Sequence, residues 1–310
     1  MKDIRFACTR CGECCRASIP LGLAEALEYD DRFLLALALT VETWDLGDFS
    51  RNKPQVPITH DELLTTLAFR KDKLALDASR DIVFRSGLTR VKGERVASFV
   101  SVTACGLGEF AGGRTFCPAL DEAGTCSIYE TRPLGCRVFP LDPLYPEMLQ
   151  NVPLQALASR LPCDFSDAAP ALFENGRLTD PAKRELLEAR QEAIRRDSLF
   201  LPYYGVTAGR FKPMPSLTEA LVSLKGNGRL DLPFVPALVY LTAAGHISPR
   251  RAEECLERQL GLARAAVDAA LGRKDKAERA RTAVLRNCVA LMERFVGRIE
   301  RTVDEAEGQA

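Results

Sequence analysis

Apolar residues recur along this chain at two periods. Through the second half they step by three and four. Val284, Cys288, Leu291, Met292, Phe295 and Ile299 fall on one helical face, which predicts a single helix from about Lys276 to Ala306. Ala252, Cys255, Leu256, Leu260, Ala263 and Val267 form a second stripe, on a helix that Ser248-Pro249 opens and that runs to about Gly272. Phe234 to Ala244 is apolar throughout and predicts a buried helix, stopped near Gly245. Asp180-Pro181 opens a charged helix through Ser198. Two capping boxes open others: Ser216 with Glu219, to about Lys225, and Thr59 with Glu62, through about Ala78.

Nearer the N-terminus, Pro20 to Leu46 reads as helical. Leu23, Ala24, Ala26 and Leu27 share a face, Asp30-Asp31 marks a junction, and Phe33 to Leu39 is apolar enough to be buried on more than one side. Arg51 to Pro57, with two prolines, reads as loop. From Glu94 to Thr103 the period drops to two, which predicts a strand, with Asp81 to Phe84 as its candidate partner. That strand leads to Cys105 and a glycine-rich loop, Gly106 to Gly113. Asp142 to Pro170 is proline-rich and irregular except for a short helix at Leu154 to Ser159. The pattern divides the chain into a cysteine-cluster metal-binding region, 1–165, and a helical region, 166–310. The fold class it predicts is α+β, mostly α: a small metal-stapled core followed by a helical half.

Composition narrows the function. The 310 residues carry 42 basic and 42 acidic side chains, a formal charge of zero. A general nucleic-acid or membrane-surface binder would want a basic excess, so neither partner is indicated. The longest apolar run, Phe33 to Val41, is short of the ~20 residues a bilayer needs, and Met1 to Ala7 holds no apolar signal core. The expected compartment is the cytoplasm, where the 11 cysteines are reduced or metal-bound rather than a disulfide framework.

Four of those cysteines fall within Cys8-Thr9-Arg10-Cys11-Gly12-Glu13-Cys14-Cys15. The C-x2-C-x2-C spacing aims thiolates at one point and matches the start of a bacterial iron–sulfur run. Gly12 suits a tight loop around a metal. A second block follows: Cys117-Pro118-Ala119-Leu120, then Cys126-Ser127-Ile128-Tyr129-Glu130-Thr131-Arg132-Pro133, then Cys136-Arg137-Val138-Phe139-Pro140. These motifs, in this order, resemble the YkgJ-type cysteine-cluster family, described as zinc- or iron-chelating. A similar cluster occurs in flagellin lysine N-methylases. The resemblance covers roughly the first half of the chain. It implies that Cys8, Cys11, Cys14, Cys15, Cys117, Cys126 and Cys136 hold metal, and it raises a protein lysine N-methyltransferase-like or redox activity on a protein substrate.

One four-iron cluster or one zinc uses four thiolates. Three would then remain, and Cys105 would complete a second set; one centre plus a reactive pair fits the count equally well. Cys163 is a weaker candidate, and Cys255 and Cys288 read as core. The two histidines, His60 and His246, lie far from any cysteine and read as surface or cap residues. Thiolate ligands select zinc or iron–sulfur. The second block lacks the close cysteine pairs of a zinc knuckle, so a 4Fe-4S cluster is favoured over zinc. Arg132 and Arg137 bracket Cys136, and Arg10 and Arg16 flank the first run; they could balance the anionic cluster or hold a ligand's carboxylate or phosphate. Tyr129 and Phe139 would form the apolar shell. The G-x-G at Gly106 is a weak cofactor signal, and C-x3-C-x2-C, the radical-enzyme spacing, is absent. The alternative to an enzyme is a non-catalytic zinc-stapled module whose helical half binds a partner protein.

Overall fold

A computed structural model of the chain describes residues 3–45, 58–76, 87–91, 94–111, 114–212, 214–224, 228–274 and 276–307. The first half runs Ile4–Arg5 (β1), Ile19–Leu21 (β2), Leu34–Asp45 (β3), His60–Leu74 (α1), Gly87–Val91 (β4), Glu94–Leu107 (β5), Glu109–Ala111 (β6), Arg114–Phe116 (β7), Leu134–Val138 (α2) and Asn151–Ala158 (α3). The second runs Ala171–Glu174 (β8), Arg177–Leu178 (β9), Pro181–Asp197 (α4), Phe200–Thr207 (α5), Leu217–Leu224 (α6), Gly228–Pro233 (β10), Val235–Ala243 (α7), Pro249–Arg273 (α8), Arg279–Phe295 (α9) and Ile299–Glu307 (α10). The class is α+β, mostly α, as the pattern predicts.

The largest correction falls at Pro20 to Leu46. This stretch is not helical beyond a short 3-10 turn at Glu25–Glu28; it ends in the long strand β3. The sheet order is β10-β3-β5-β2, antiparallel throughout, with β4 also on β5. β3 pairs with β5 from Leu34↔Leu107 to Asp45↔Val96. From Leu35 to Leu39 both faces of β3 are covered, so the alternation there is large and small rather than apolar and polar. Leu35, Leu37 and Leu39 enter the main core with Phe200, Tyr204, Phe234 and Leu238. Ala36 and Ala38 face the other way, with Cys105, Leu107 and Leu285. Burial on more than one side is what the sequence predicts; the element differs because a short apolar run has no period that separates buried strand from buried helix. Each buried leucine contributes about 1.5–3 kcal/mol.

Helix α8 locks the entry to β3. Gln259, 1% exposed, donates to the carbonyls of Asp30 (2.8 Å) and Phe33 (2.9 Å) and accepts from Leu35 N at 2.6 Å. Asp30 is buried and pairs with Arg251 at 2.7 Å and Arg258 at 3.0 Å. The 166–310 region also supplies β10, which pairs with β3 from Gly228↔Val41 to Pro233↔Ala36. The two regions thus share a sheet as well as a core.

Most caps form as the sequence predicts. Thr59 and Glu62 make both bonds of a capping box; Asp180 and Ser248 cap α4 and α8, and Ser216 and Glu219 cap α6. The final helix does not run unbroken. It stops at Phe295, turns through Gly297 at φ 69, and restarts at Ile299. Glu253 accepts from the amides of Gly297 (3.0 Å) and Ile299 (2.9 Å), so a carboxylate on α8 caps the restart.

Three further findings concern strands. The glycine-rich stretch after Cys105, expected as a loop, continues β5 and opens the β6–β7 hairpin. β8 and β9 form a hairpin whose turn, Asn175-Gly176, has positive φ at both residues; β1 adds to its edge. Arg51 to Pro57 and the proposed partner strand Asp81 to Phe84 lie outside the described residues. Among the described residues no helix is long and apolar enough to cross a membrane.

Candidate metal centre

Three separate segments meet at the cysteines, and backbone hydrogen bonds fix each meeting. After β1, Ala7 and Asp164 exchange both amide bonds, at 2.8 and 3.1 Å, and Thr9 Oγ1 donates to Pro162 O at 3.2 Å. Gly12 then turns at φ 71, and Glu13–Cys15 forms a 3-10 turn closed by Cys15 N to Gly12 O at 2.9 Å. Only glycine fits there: a Cβ at Gly12 would lie 2.5 Å from Gly124 O, on the second cysteine block. That block is tied to the first by Cys117 N donating to Cys15 O at 2.8 Å.

Within the second block, Asp121 folds the loop. Its carboxylate accepts from Thr125 N (2.8 Å) and Thr125 Oγ1 (2.5 Å), and Ser127 N donates to Ala119 O at 2.8 Å. Leu120 and Cys126 form an antiparallel bridge, so the loop returns Cys126 beside the turn that begins at Cys117. Cys136 sits on α2. Glu25 accepts from the first amide of that helix, Leu134 N, at 2.5 Å, and Lys183 donates to Arg137 O and Phe139 O at its end, both at 2.7 Å.

The result is a cavity of about 340 Å³ lined by eight cysteines: Cys8, Cys11, Cys14, Cys15, Cys117, Cys126, Cys136 and Cys163. Cys105 is not among them. It is buried opposite Ala36 in the sheet, where Arg229 donates to its Sγ at 3.2 Å. Cys163, the weaker candidate by sequence, does line the cavity. Cys255 and Cys288 lie in the apolar core, and His60 and His246 are exposed elsewhere. The donor set around the cavity is thus thiol alone.

Of the arginines, Arg10 and Arg132 line the cavity and both stack on Tyr129, at 4.4 and 3.6 Å from the ring centroid. Arg16 pairs with Glu13 at 2.8 Å. Arg137 is exposed and does not line the cavity, although its position beside Cys136 suggests otherwise. α2 carries the two neighbours to different environments.

Four of these thiols, Cys14, Cys117, Cys136 and Cys163, resist ionisation. The Sγ atoms of Cys14 and Cys15 are 3.8 Å apart, and the Cys15 contact, then burial, pushes Cys14 far up. Cys136 is pushed up to about 12 by burial, then by the charges of Cys117, Cys14 and Cys126, with Arg132 opposing. Cys163 rises to about 11 by burial, then by Cys11, Cys8 and Cys14. Cys117 rises for the same first reason, burial. Like charges at one point hold protons on; a bound cation reverses that sign. Among the described residues no three Cys, His, Asp or Glu groups already converge as a closed cage around an ion. The donor chemistry fits zinc or iron–sulfur. No family model, curated protein or solved structure matches this chain.

Proposed function

We propose that this chain is a thiolate-ligated metalloprotein of the cytoplasm. Its cysteine cavity holds iron–sulfur in preference to zinc, and it serves a redox or protein-modifying role. One observation carries the reading: cysteines from Cys8–Cys15, Cys117–Cys136 and Cys163 line one cavity whose walls are joined by backbone hydrogen bonds. Chance burial of thiols would not gather eight of the chain's 11 around one opening with no histidine or carboxylate ligand among them. The motif order, which resembles that of the YkgJ-type family, supports the same reading.

An iron–sulfur cluster would supply electron transfer when bound; zinc would supply a closed structural node or a Lewis acid. The protein's own residues set the surroundings. Arg10 and Arg132 place two guanidinium groups beside the thiolates and lower the cost of gathering negative charge. Tyr129, held under both, gives the cavity an aromatic wall. Glu25 and Lys183 fix α2 and so fix Cys136. Binding displaces the thiol protons, so affinity rises with pH.

A second reading is a metal that staples the loops without catalysis, since the cavity joins three separate segments of the chain. The test is iron, zinc and acid-labile sulfide content of protein purified without oxygen, with its visible spectrum. Brown protein with matching iron and sulfide supports the first reading. Colourless zinc protein supports the second. Protein with neither, after reconstitution with either metal, overturns both.

A further inference from the structure

We infer that the cavity is built for two thiolate-bound metal centres, an outer one that includes Cys163 and an inner one formed around the second cysteine block. This rests on the reading that the cavity binds metal, and it assigns the ligands that reading leaves open. The outer set follows from register. Ala7 and Asp164 are a hydrogen-bonded antiparallel pair. One residue further on each segment brings Cys8 alongside Cys163, and the Thr9 side chain's bond to Pro162 O ties the two segments again beyond them. The C-x2-C turn adds Cys11 to them. Cys8 and Cys11 are exposed and Cys163 is half-buried, so this set lies at the mouth.

The inner set has its own anchors. Cys117 is buried and bonded through its amide to the carbonyl of Cys15; the Asp121 clip brings Cys126 back to it, and α2 supplies Cys136. Cys126 and Cys136 are half-buried against the main core. Each set then holds three cysteines and lacks one. Cys14 and Cys15 stand between them with sulfurs 3.8 Å apart, and one from each completes four and four. Cys105, buried across the sheet, takes no part.

The experiment titrates cobalt(II) alone into the reduced, metal-free full chain under anaerobic conditions and counts equivalents that give tetrahedral thiolate spectra. The expected result is two equivalents for the wild type. Cys163→Ser and Cys126→Ser should each retain one, and Cys105→Ser should retain two. One equivalent or none in the wild type overturns the two-centre inference; the metal reading itself falls only if the chain also takes up neither zinc nor iron with sulfide. Two equivalents in Cys163→Ser, or a Cys8–Cys163 disulfide in the protein as isolated, overturns the assignment of Cys163. The wild-type count stands whether or not a variant folds.

Discussion

The cysteine cavity and the sheet–helix core both contain thiols, and they hold them in opposite ways. Cys105, Cys255 and Cys288 are buried in the core, and burial is the first cause that keeps each one protonated, with a carboxylate, Asp30 or Asp231, adding to it. Around the cavity, neighbouring sulfurs add to the effect, and Cys8, Cys11 and Cys14 are exposed. Only unfolding relieves burial, but an arriving cation relieves a neighbour's charge. The first kind of thiol is inert packing. The second, if the cavity takes metal as proposed, is a set of groups that loses its protons together.

Removing metal should separate the two regions most sharply. With the loaded protein as reference, chelation is expected to raise amide hydrogen exchange on the order of a hundredfold in residues 8–16 and 117–127, with β3 and β5 unchanged. Equal loss of protection in the sheet would erase the distinction. Leu37→Ala tests the other side. This residue is fully buried in β3, and the truncation should cost about 2–5 kcal/mol in urea unfolding while metal content stays the same.

Asp197 lies on the seam between the regions, accepting from Leu23 N at 2.9 Å beside Arg190. Burial raises its carboxyl from 3.8 to about 6. Between about pH 4 and 6 the unfolded chain gives up this proton and the folded chain keeps it, so stability falls by ~3 kcal/mol as pH rises through that window. Asp197→Asn should flatten that slope, and urea midpoints at both ends of the window would show it. Gly12→Ala should cost ~1–3 kcal/mol through its positive φ, and should weaken cobalt(II) binding because it pushes Gly124 away. The smallest effect belongs to Arg137→Ala: within about 0.5 kcal/mol and with unchanged metal content, since that side chain is exposed and does not line the cavity. Arg132→Ala, by contrast, should lower metal affinity measurably.

What the sequence revealed was local. Capping residues act on amides two or three positions away, so Thr59, Asp180, Ser216 and Ser248 could be read directly. The Asn175-Gly176 hairpin carries an equally local signal, an Asn-Gly pair suited to positive φ at both turn residues. β3 could not be read in this way. Leu and Ala favour helices in isolation, and pairing with β5 and β10, both distant in sequence, overrides that preference. The break at Gly297 depends on Glu253 from another helix. The cysteines divide along the same line. Short spacings point to Cys8–Cys15, whereas Cys163 reaches the cavity only through register with the N-terminal strand. Cys105 follows the same clustering in sequence, but β5 continues through it and carries it into the sheet.

Strand β10 closes the edge of β3, and that edge decides how the protein can be divided. A fragment ending near residue 165 would keep the cavity's cysteines and lose β10. It would leave the leucine–alanine strand with a bare row of amides and carbonyls, a template for another copy of itself. The cysteine region is therefore not a portable module. Fragments without β10 should self-associate, and any chain that carries this cavity must also carry a strand that comes some hundred residues after its second cysteine block.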